Sequence, residues 1–178
     1  LTSNQTEAIQ YEYTSRGPSN LGGRTRALVI DALDVTGNTM IAGGVSGGVF
    51  RTTNGGADWT MVSDINELHN VTAIAQDPRP GFQNIWYYGT GEIYGNSASL
   101  SFENLYLGDG IWQSLDNGLT WNQIPVSSGN QTMLDSDFDL ISDMEVHPVT
   151  GDLYIAGHTG IFRYDGTNFS TELVTSQA

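Results

Sequence analysis

A chain of 178 residues is long enough to bury a sizeable core in one domain, and 6 basic against 20 acidic residues give it a net charge of −14 at pH 7. All six basic residues are scattered arginines, which argues against nucleic acid and anionic membrane surfaces as partners. Cysteine is absent, which excludes disulfides and thiol chemistry, and no run approaches the roughly 20 apolar residues of a membrane helix. Acidity and abundant Asn, Ser, Thr and Gly favour an extracellular or outer cell-surface location.

The elements predicted along the chain fall into three similar units. A leading segment at 1–19 carries one strand-like run, AIQYEYTS, and the units follow at 20–66, 67–127 and 128–178. In each unit, short apolar runs rich in Val, Ile, Thr, Tyr and Trp are separated by Gly, Asn, Asp and Pro, which is typical of four strands. No amphipathic 3.6-residue period persists over ten residues, so we expect no α-helix.

Four antiparallel strands repeated roughly every 45 residues predict the blades of a β-propeller. In the second unit the strands are expected at about 71–77, 85–90, 110–115 and 120–125. Three blades do not close a ring that usually has about four to eight. We therefore expect a portion of a larger propeller, in which the leading strand completes another blade, or a partner that covers the open arc.

The turn between the third and fourth strands has a similar pattern in the first two units, TTNGGADW at 52–59 and SLDNGLTW at 114–121. Gly accepts the positive φ that hairpin turns require, and an Asp or Asn side chain accepts backbone N–H bonds across the turn. We therefore expect a structural role for the matching residues, which are Thr52, Asn54, Gly56, Trp59, Ser114, Asp116, Gly118 and Trp121.

SLDNGLTW matches the S/T-x-D-x-G-x-T-W signature of Asp-box, or BNR, repeats at every position. TTNGGADW departs from the signature at Asn54 and Asp58, and RYDGTNF at 163–169 is a degenerate third copy. With GPSNLGGRTRALVID, GGVSGGVFRTTNGG and YYGTGE, the chain from Gly17 onward resembles the opening blades of secreted bacterial BNR-repeat, sortilin-like propellers. The resemblance implies the fold but selects no activity, since such propellers include sialidases, xyloglucan-degrading glycosidases and sorting receptors.

Two lengthened loops, 92–108 within the second unit and 127–140 between units, are expected together on the face opposite these turns, because strand directions alternate. The first loop contains five candidate ligand contacts, namely Glu92, Tyr94, Phe102, Glu103 and Tyr106. Aromatic faces stack on sugar rings and carboxylates bind hydroxyl groups, so these residues predict a carbohydrate groove. The alternative is a self-packed loop whose aromatic side chains are buried.

The second lengthened loop contains three alternating aspartates, Asp135, Asp137 and Asp139. This spacing is a candidate calcium site, because hard cations collect alternate carboxylates. Leu140 stands where an EF-hand has Gly, so the alternative is a solvated acidic loop.

The first strand of each unit ends at a polar residue. Asp31, Asp77 and His147 occupy that one position. The equivalence predicts that His147 is a strand-end or turn residue rather than a metal ligand or a general base.

The resemblance also bears on enzyme activity. Xyloglucan-degrading enzymes carry a catalytic Asp just before a Gly-Gly pair, where this chain has Val45. Sialidases need three arginines, and although Arg24 suits the first, Arg51 and Arg163 belong to the Asp-box strands. A glycoside hydrolase would therefore need carboxylates partly from outside this chain, with Glu92 and Asp109 as the nearest candidates within it.

The sequence thus favours a secreted or cell-surface binding or adhesion module with a glycan or protein ligand. We expect no cofactor beyond the calcium candidate, no nucleic-acid partner and no membrane insertion. Resemblance to Bacteroidetes surface proteins implies export through a type IX system. A sialidase-like or xyloglucanase-like hydrolase and a sortilin-like peptide receptor are the alternatives.

Overall fold

The computed structural model describes residues 23–67, 69–93, 105–128 and 132–175. These residues form three four-stranded antiparallel sheets and one short 3₁₀ helix at Pro125–Ser127. The first sheet contains β1 (Thr25–Ile30), β2 (Met40–Gly44), β3 (Gly48–Thr52) and β4 (Thr60–Met61). The second contains β5 (Val71–Gln76), β6 (Trp86–Thr90), β7 (Ile111–Ser114) and β8 (Asn122–Gln123). The third contains β9 (Ile141–Val146), β10 (Leu153–Gly157), β11 (Gly160–Tyr164) and β12 (Phe169–Val174).

Strands pair in sequence order within each sheet, so alternate connections lie at opposite ends. We call one end the turn face; it carries the connections between first and second and between third and fourth strands. The other end, the loop face, carries the connections between second and third strands and those between sheets. The described ends of the two lengthened loops both lie on the loop face.

The sheets pack face to face, and their first strands lie side by side. β5 contacts β1 and β2, and β9 contacts β5 and β6. The core between the first two sheets is formed by Ile41, Val49, Val71, Ile74, Trp86, Tyr88 and Trp112. A second core, between the second and third sheets, includes Ala73, Tyr87, Ile111, Ile141, Met144, Val146, Leu153 and Ile155. This arrangement confirms the predicted all-β fold with propeller blades.

Each first strand has a register irregularity near its start, and in the first two sheets the extra residue reaches the next sheet. Arg26 is skipped in the pairing of β1 with β2, and Thr72 in the pairing of β5 with β6. The Arg26 Nε lies 2.8 Å from Oε2 of Glu92 in the second sheet. The Thr72 hydroxyl donates to the carbonyl of Ile141 in the third. Irregularities of this kind re-aim a side chain, and here they join neighbouring blades.

In the described part of the chain, no helix is long and apolar enough to cross a membrane.

Candidate binding face

On the loop face, Glu92 joins the first two sheets. It follows β6, and its backbone pairs with that of Tyr106 through N–H···O bonds of 2.8 and 3.0 Å. Its carboxylate is buried, with Oε2 3.0 Å from a terminal nitrogen of Arg24 and 2.8 Å from Nε of Arg26. Both guanidinium groups are partly exposed, so this ion-paired cluster reaches solvent through its arginines.

The structure describes two of the five candidate ligand contacts in the first long loop. Glu92 is 1% exposed, whereas Tyr106 beside it is 46% exposed. Tyr94, Phe102 and Glu103 lie outside the described residues. Of the two described side chains, that of Tyr106 is the one available to a ligand.

Asp109, the second carboxylate considered for hydrolysis, directly follows the first long loop. Its Oδ1 accepts a 3.0 Å hydrogen bond from the hydroxyl of Ser128, and its N–H donates to the Thr90 hydroxyl at 2.8 Å. Its carbonyl accepts a bond from Gln123. Asp109 therefore connects the end of β6 to the segment that follows β8.

In the second long loop, the carboxylates of Asp137 and Asp139 bind different partners. Oδ2 of Asp139, which is fully buried, accepts the N–H groups of Asp135 and Ser136 at 2.8 and 2.7 Å. Oδ1 of Asp137 accepts the Thr159 hydroxyl at 2.6 Å. No group of three His, Asp or Glu side chains within the described ranges is placed to hold a metal ion. The calcium candidate therefore has no assembled ligand set in this structure.

A cavity of about 350 Å³ opens between the β2–β3 turn and the segment that leaves β4. Its lining includes Ser46, Phe50, Met61, Asp64, Ile65, Glu67 and His69. Sequence reasoning missed it, because its walls come from two separate segments and contain no motif. The one signal in the sequence was a histidine within an acidic stretch, NELHN at 66–70.

His69 is the buried polar group of this cavity, only 4% exposed. Its Nδ1 lies 3.0 Å from the Tyr88 hydroxyl, and its ring meets Trp112 edge-on at a centroid distance of 4.9 Å. Nε2 is buried and has no hydrogen-bond partner. Burial lowers the pKa of His69, which favours the neutral ring.

On the turn face, the β7–β8 turn is closed by its own side chains. The Ser114 hydroxyl donates to Oδ1 of Asp116 at 2.8 Å and accepts the N–H of Gly118 at 2.9 Å. Asp116 also accepts the N–H groups of Leu119 and Thr120 and the Thr120 hydroxyl, the last at 2.6 Å. Burial alone raises the pKa of Asp116, but the bonds from Thr120, Ser114 and Leu119 outweigh it and lower the pKa to about 2.

The β3–β4 turn has the same network with two partners exchanged. The Thr52 hydroxyl bonds Oδ1 of Asn54 at 2.9 Å and the N–H of Gly56 at 3.1 Å. Nδ2 of Asn54 donates to Oδ2 of Asp58 at 3.0 Å, where Thr120 donates to Asp116 in the second sheet. In the first sheet the carboxylate belongs to the later residue, Asp58, whereas in the second sheet it belongs to the earlier residue, Asp116. The departures at positions 54 and 58 therefore compensate each other.

The remaining predicted turn residues are also placed by local contacts. The Trp121 ring packs against Tyr88 at a centroid distance of 4.8 Å, and Trp59 lies between the β3–β4 turn and β4. In the degenerate third copy, Oδ1 of Asp165 accepts the N–H groups of Thr167 and Asn168, both at 2.8 Å. Asp165 thus accepts two backbone N–H groups, whereas Asp116 also accepts the hydroxyl groups of Ser114 and Thr120.

The polar residue after each first strand caps the turn that follows. Oδ1 of Asp31 and of Asp77 each accept the N–H two positions onward, at 2.9 Å. Nδ1 of His147 lies 3.3 Å from the N–H of Val149 and 3.2 Å from that of Thr150. The side chain of His147 therefore contacts its own turn.

Three packed four-stranded sheets with adjacent first strands define a β-propeller arrangement. No protein-family model matches the chain, and no curated protein resembles it in sequence. Solved structures do resemble it in fold. A GH74 xyloglucanase from Xanthomonas campestris superposes with a TM-score of 0.54 at 18% identity, over 84% of this chain and 21% of the enzyme.

Two further structures show the same fold in proteins of other kinds. YCF48 bound to D1 peptide matches with a TM-score of 0.52 and 13% identity, over 84% of this chain and 40% of that protein. The extracellular domain of a putative one-component system from B. thetaiotaomicron matches with a TM-score of 0.51 and 14% identity, over 95% of this chain and 18% of that protein. The chain thus spans less than half the length of these neighbours, and at such identities the likeness shows fold alone.

Proposed function

We propose that the chain is part of a secreted or cell-surface BNR-type β-propeller that acts as a binding or adhesion module and takes its glycan or protein ligand on the loop face. One contrast carries the proposal. On the turn face the carboxylates of the repeated turns are engaged in local hydrogen bonds. The loop face instead has the described ends of the two lengthened loops, the exposed Tyr106 and a cavity of about 350 Å³ lined by Phe50, Met61 and His69 among others.

Further blades are part of this proposal. Ser142, at the position of Arg26 and Thr72 in the third sheet, is exposed, whereas those two residues bond to the next sheet. On β1, Leu28 and Ile30 are 59% and 58% exposed. Exposed apolar strand residues of this kind favour packing against additional blades, or against a partner that covers the open arc.

An extracellular location is supported by the acidic composition, rich in Asn, Ser, Thr and Gly, and by the extracellular domain among the structural neighbours. Export of the Bacteroidetes type rests on the sequence resemblance. The chain would then reach its ligand outside the cell as part of a longer protein.

The rival function is glycan hydrolysis, as in the GH74 neighbour. Glu92 is enclosed by two arginines and Asp109 is bonded to Ser128, so hydrolysis would require these contacts to be released or carboxylates from other blades to act. A sortilin-like peptide receptor is the second alternative, and it is supported by the structural neighbour YCF48, which was solved bound to D1 peptide.

Screening the purified chain on a glycan array and a peptide library tests the proposal. Tyr106→Ala on the loop face should weaken the strongest hit at least about tenfold, whereas Leu119→Ala on the turn face, also an exposed apolar side chain, should leave it unchanged. Cleavage of the bound glycan would replace the proposal with the hydrolase, and peptide hits alone would favour the receptor. Loss of binding in Leu119→Ala only, or no hit in either screen, would overturn the loop-face assignment.

A further inference from the structure

The first two sheets show how one sheet receives the next. A glycine on the second strand of each faces the following sheet. An added Cβ at Gly43 would collide with Val71 of β5, and one at Gly89 would lie 2.7 Å from Cγ2 of Ile141 in β9. We call this side of a sheet its forward side and the opposite side its rear side. A forward side made of small residues thus receives the apolar rear side of the next sheet.

The strand register gives the equivalent positions in all three sheets. Each first strand has two positions on the forward side, two residues apart, and in the first two sheets these hold Ala27, Val29, Ala73 and Ala75. In β9 the same register positions hold Asp143 and Glu145, and in β10 Ala156 stands in place of the glycine. The forward side of the third sheet therefore departs from the pattern at three positions.

These departures disfavour a following sheet of the kind already present. The rear sides of the second and third sheets meet the preceding glycine with Ile74 and Met144, which are 7% and 3% exposed. An apolar side chain at that position would enclose the two carboxylates of β9 without a counter-charge, which is strongly unfavourable. The methyl group of Ala156 would also occupy the space that the two glycines leave open.

A second copy of this chain is disfavoured for the same reason. On the rear side of the first sheet, Leu28 holds the register position of Ile74 and Met144, and it is 59% exposed. Ile30, two residues further along the same strand, is 58% exposed. Docking of β1 from another copy would therefore place apolar side chains on two unpaired carboxylates.

The forward side of the third sheet contains an open groove with a volume of about 250 Å³. Asp143 and Glu145 form one wall, and Tyr154, Ala156 and Ile161 supply the apolar surface beside it. Ala156 pairs with Asp143 on one side and with Ile161 on the other, so the acidic and apolar side chains are immediate neighbours. A long basic side chain matches such a surface, because its aliphatic stem is apolar and its head is charged.

The two carboxylates form no ion pair within the described ranges. Oδ1 of Asp143 accepts the N–H of the next residue at 2.9 Å, and Glu145 is exposed. Arg163, on the same side of the sheet, already pairs with Asp152 and Glu172, at 3.6 and 3.2 Å. The carboxylates of β9 therefore favour an incoming basic group.

We propose that the forward side of the third sheet receives a further sheet of a longer protein, whose first strand presents a lysine or an arginine to Asp143 and Glu145. The stem of that side chain lies on Ala156 and Ile161. The place follows from the two existing interfaces, in which β5 packs on β1 and β2, and β9 packs on β5 and β6. The inference rests on the proposed function, of which further blades are part, and it adds the chemistry of the blade that follows.

Self-association of this chain tests the assignment, because each copy offers the rear side of a first sheet. Sedimentation equilibrium should show a monomer for the unmodified chain. Leu28→Lys places a basic side chain at the register position of Ile74 and Met144. It should raise the constant for head-to-tail association at least about tenfold. Leu28→Gln, which has a polar side chain without charge, is the matched control and should remain a monomer.

Further variants test the forward side. Leu28→Lys combined with Asp143→Asn and Glu145→Gln lacks the counter-charges and should be a monomer again. The converse set, Asp143→Ala, Glu145→Ala and Ala156→Gly, recreates the forward side of the second sheet and should associate through an unmodified Leu28. Adding Leu28→Asp to that set should abolish the association. Leu28, Asp143 and Glu145 are exposed, so each variant should keep the circular dichroism spectrum of the unmodified chain.

Three results would overturn the inference. These are association of the unmodified chain that Leu28→Asp abolishes, a Leu28→Lys variant that stays monomeric, and association of Leu28→Lys that survives the loss of both carboxylates. A converse set that stays monomeric would contradict the exclusion of apolar strands by these residues. None of these results bears on the loop face, because glycan and peptide binding are measured separately. Failure of both ligand screens would likewise leave the association results in force.

Discussion

The side-chain amide of Asn117 donates a 2.8 Å hydrogen bond to Oδ2 of Asp31, which joins the β7–β8 turn of the second sheet to the β1–β2 turn of the first. Asn117 is the one non-glycine residue with positive φ among the described residues, at 63°. Its Oδ1 accepts the indole N–H of Trp86 at 2.8 Å, and its carbonyl accepts Nε of Arg51 at 3.2 Å. One turn residue thus holds two blades together on the turn face.

Asn117→Asp should lower the free energy of unfolding by about 2 kcal/mol at pH 7, because the donor becomes an oxygen that faces the Asp31 carboxylate. Urea denaturation measures the change. Asn117→Gly is the control, since Gly accepts the positive φ and removes the side chain without adding charge. Both variants lack the donor to Asp31, so a stability of Asn117→Asp equal to that of the unmodified chain would contradict the role of this bond.

Asp116→Ala should lower the free energy of unfolding by about 1–2 kcal/mol at pH 7 and leave ligand binding intact, because the hydrogen bonds of the β7–β8 turn are lost far from the loop face. Denaturation and binding titrations on the same samples check both parts. Lost binding at unchanged stability would contradict the structural assignment.

The same carboxylate should give stability a dependence on acid pH. The folded pKa of Asp116, about 2, lies below its ordinary value of 3.8, so its contribution is present above pH 3.8 and is lost as pH falls towards 2. Partial exposure keeps the effect within the 1–2 kcal/mol expected for the alanine variant. Unfolding curves between pH 4 and pH 2 should fall more steeply for the unmodified chain than for Asp116→Ala; parallel curves would argue against the lowered pKa.

The fold could be predicted from the sequence because the patterns that indicate it, turn motifs and short apolar runs, lie within a few residues of one another. The Ser114, Asp116 and Gly118 bonds lie within a few residues, and the apolar runs that form β5, β6 and β7 are separated by turn residues. The Asn117–Asp31 bond joins residues 86 positions apart, and the Arg24–Glu92 pair joins residues 68 apart. Contacts at such separations depend on how sheets pack, which a single sequence does not specify.

The same dependence on sheet packing explains why the sequence did not predict the environment of the candidate site residues. Glu92 has the sequence context of a ligand contact, but the packing of β1 against the second sheet brings two arginines to its carboxylate. His69 was passed over, because its unpaired Nε2 follows from the burial of its ring against Trp112 and Tyr88. Burial and pairing, which decide what these groups can bind, emerge only from the packed sheets.

The exchange of partners in the β3–β4 turn predicts strong coupling between positions 54 and 58. Asn54→Asp should cost about 1–2 kcal/mol of unfolding free energy, because two carboxylates would meet where Nδ2 and Oδ2 are 3.0 Å apart. Adding Asp58→Thr recreates the arrangement of Asp116 with Thr120 and should recover most of that loss. A double-mutant cycle by urea denaturation measures the coupling, and additive losses would contradict the compensation.

Gly89 in β6 sets the distance between the second and third sheets. An added Cβ would lie 2.7 Å from Cγ2 and 3.1 Å from Cδ1 of Ile141, which is fully packed in the core between them. Gly89→Ala should therefore lower the free energy of unfolding by about 1–3 kcal/mol through overpacking. Gly23→Ala is the control, because nothing lies within 4 Å of its added Cβ, and its stability should change by less than about 0.5 kcal/mol. Urea denaturation measures both variants. Equal stability would show that Ile141 can move to make room for the added methyl group. It would contradict the role of Gly89 in setting the spacing between the sheets.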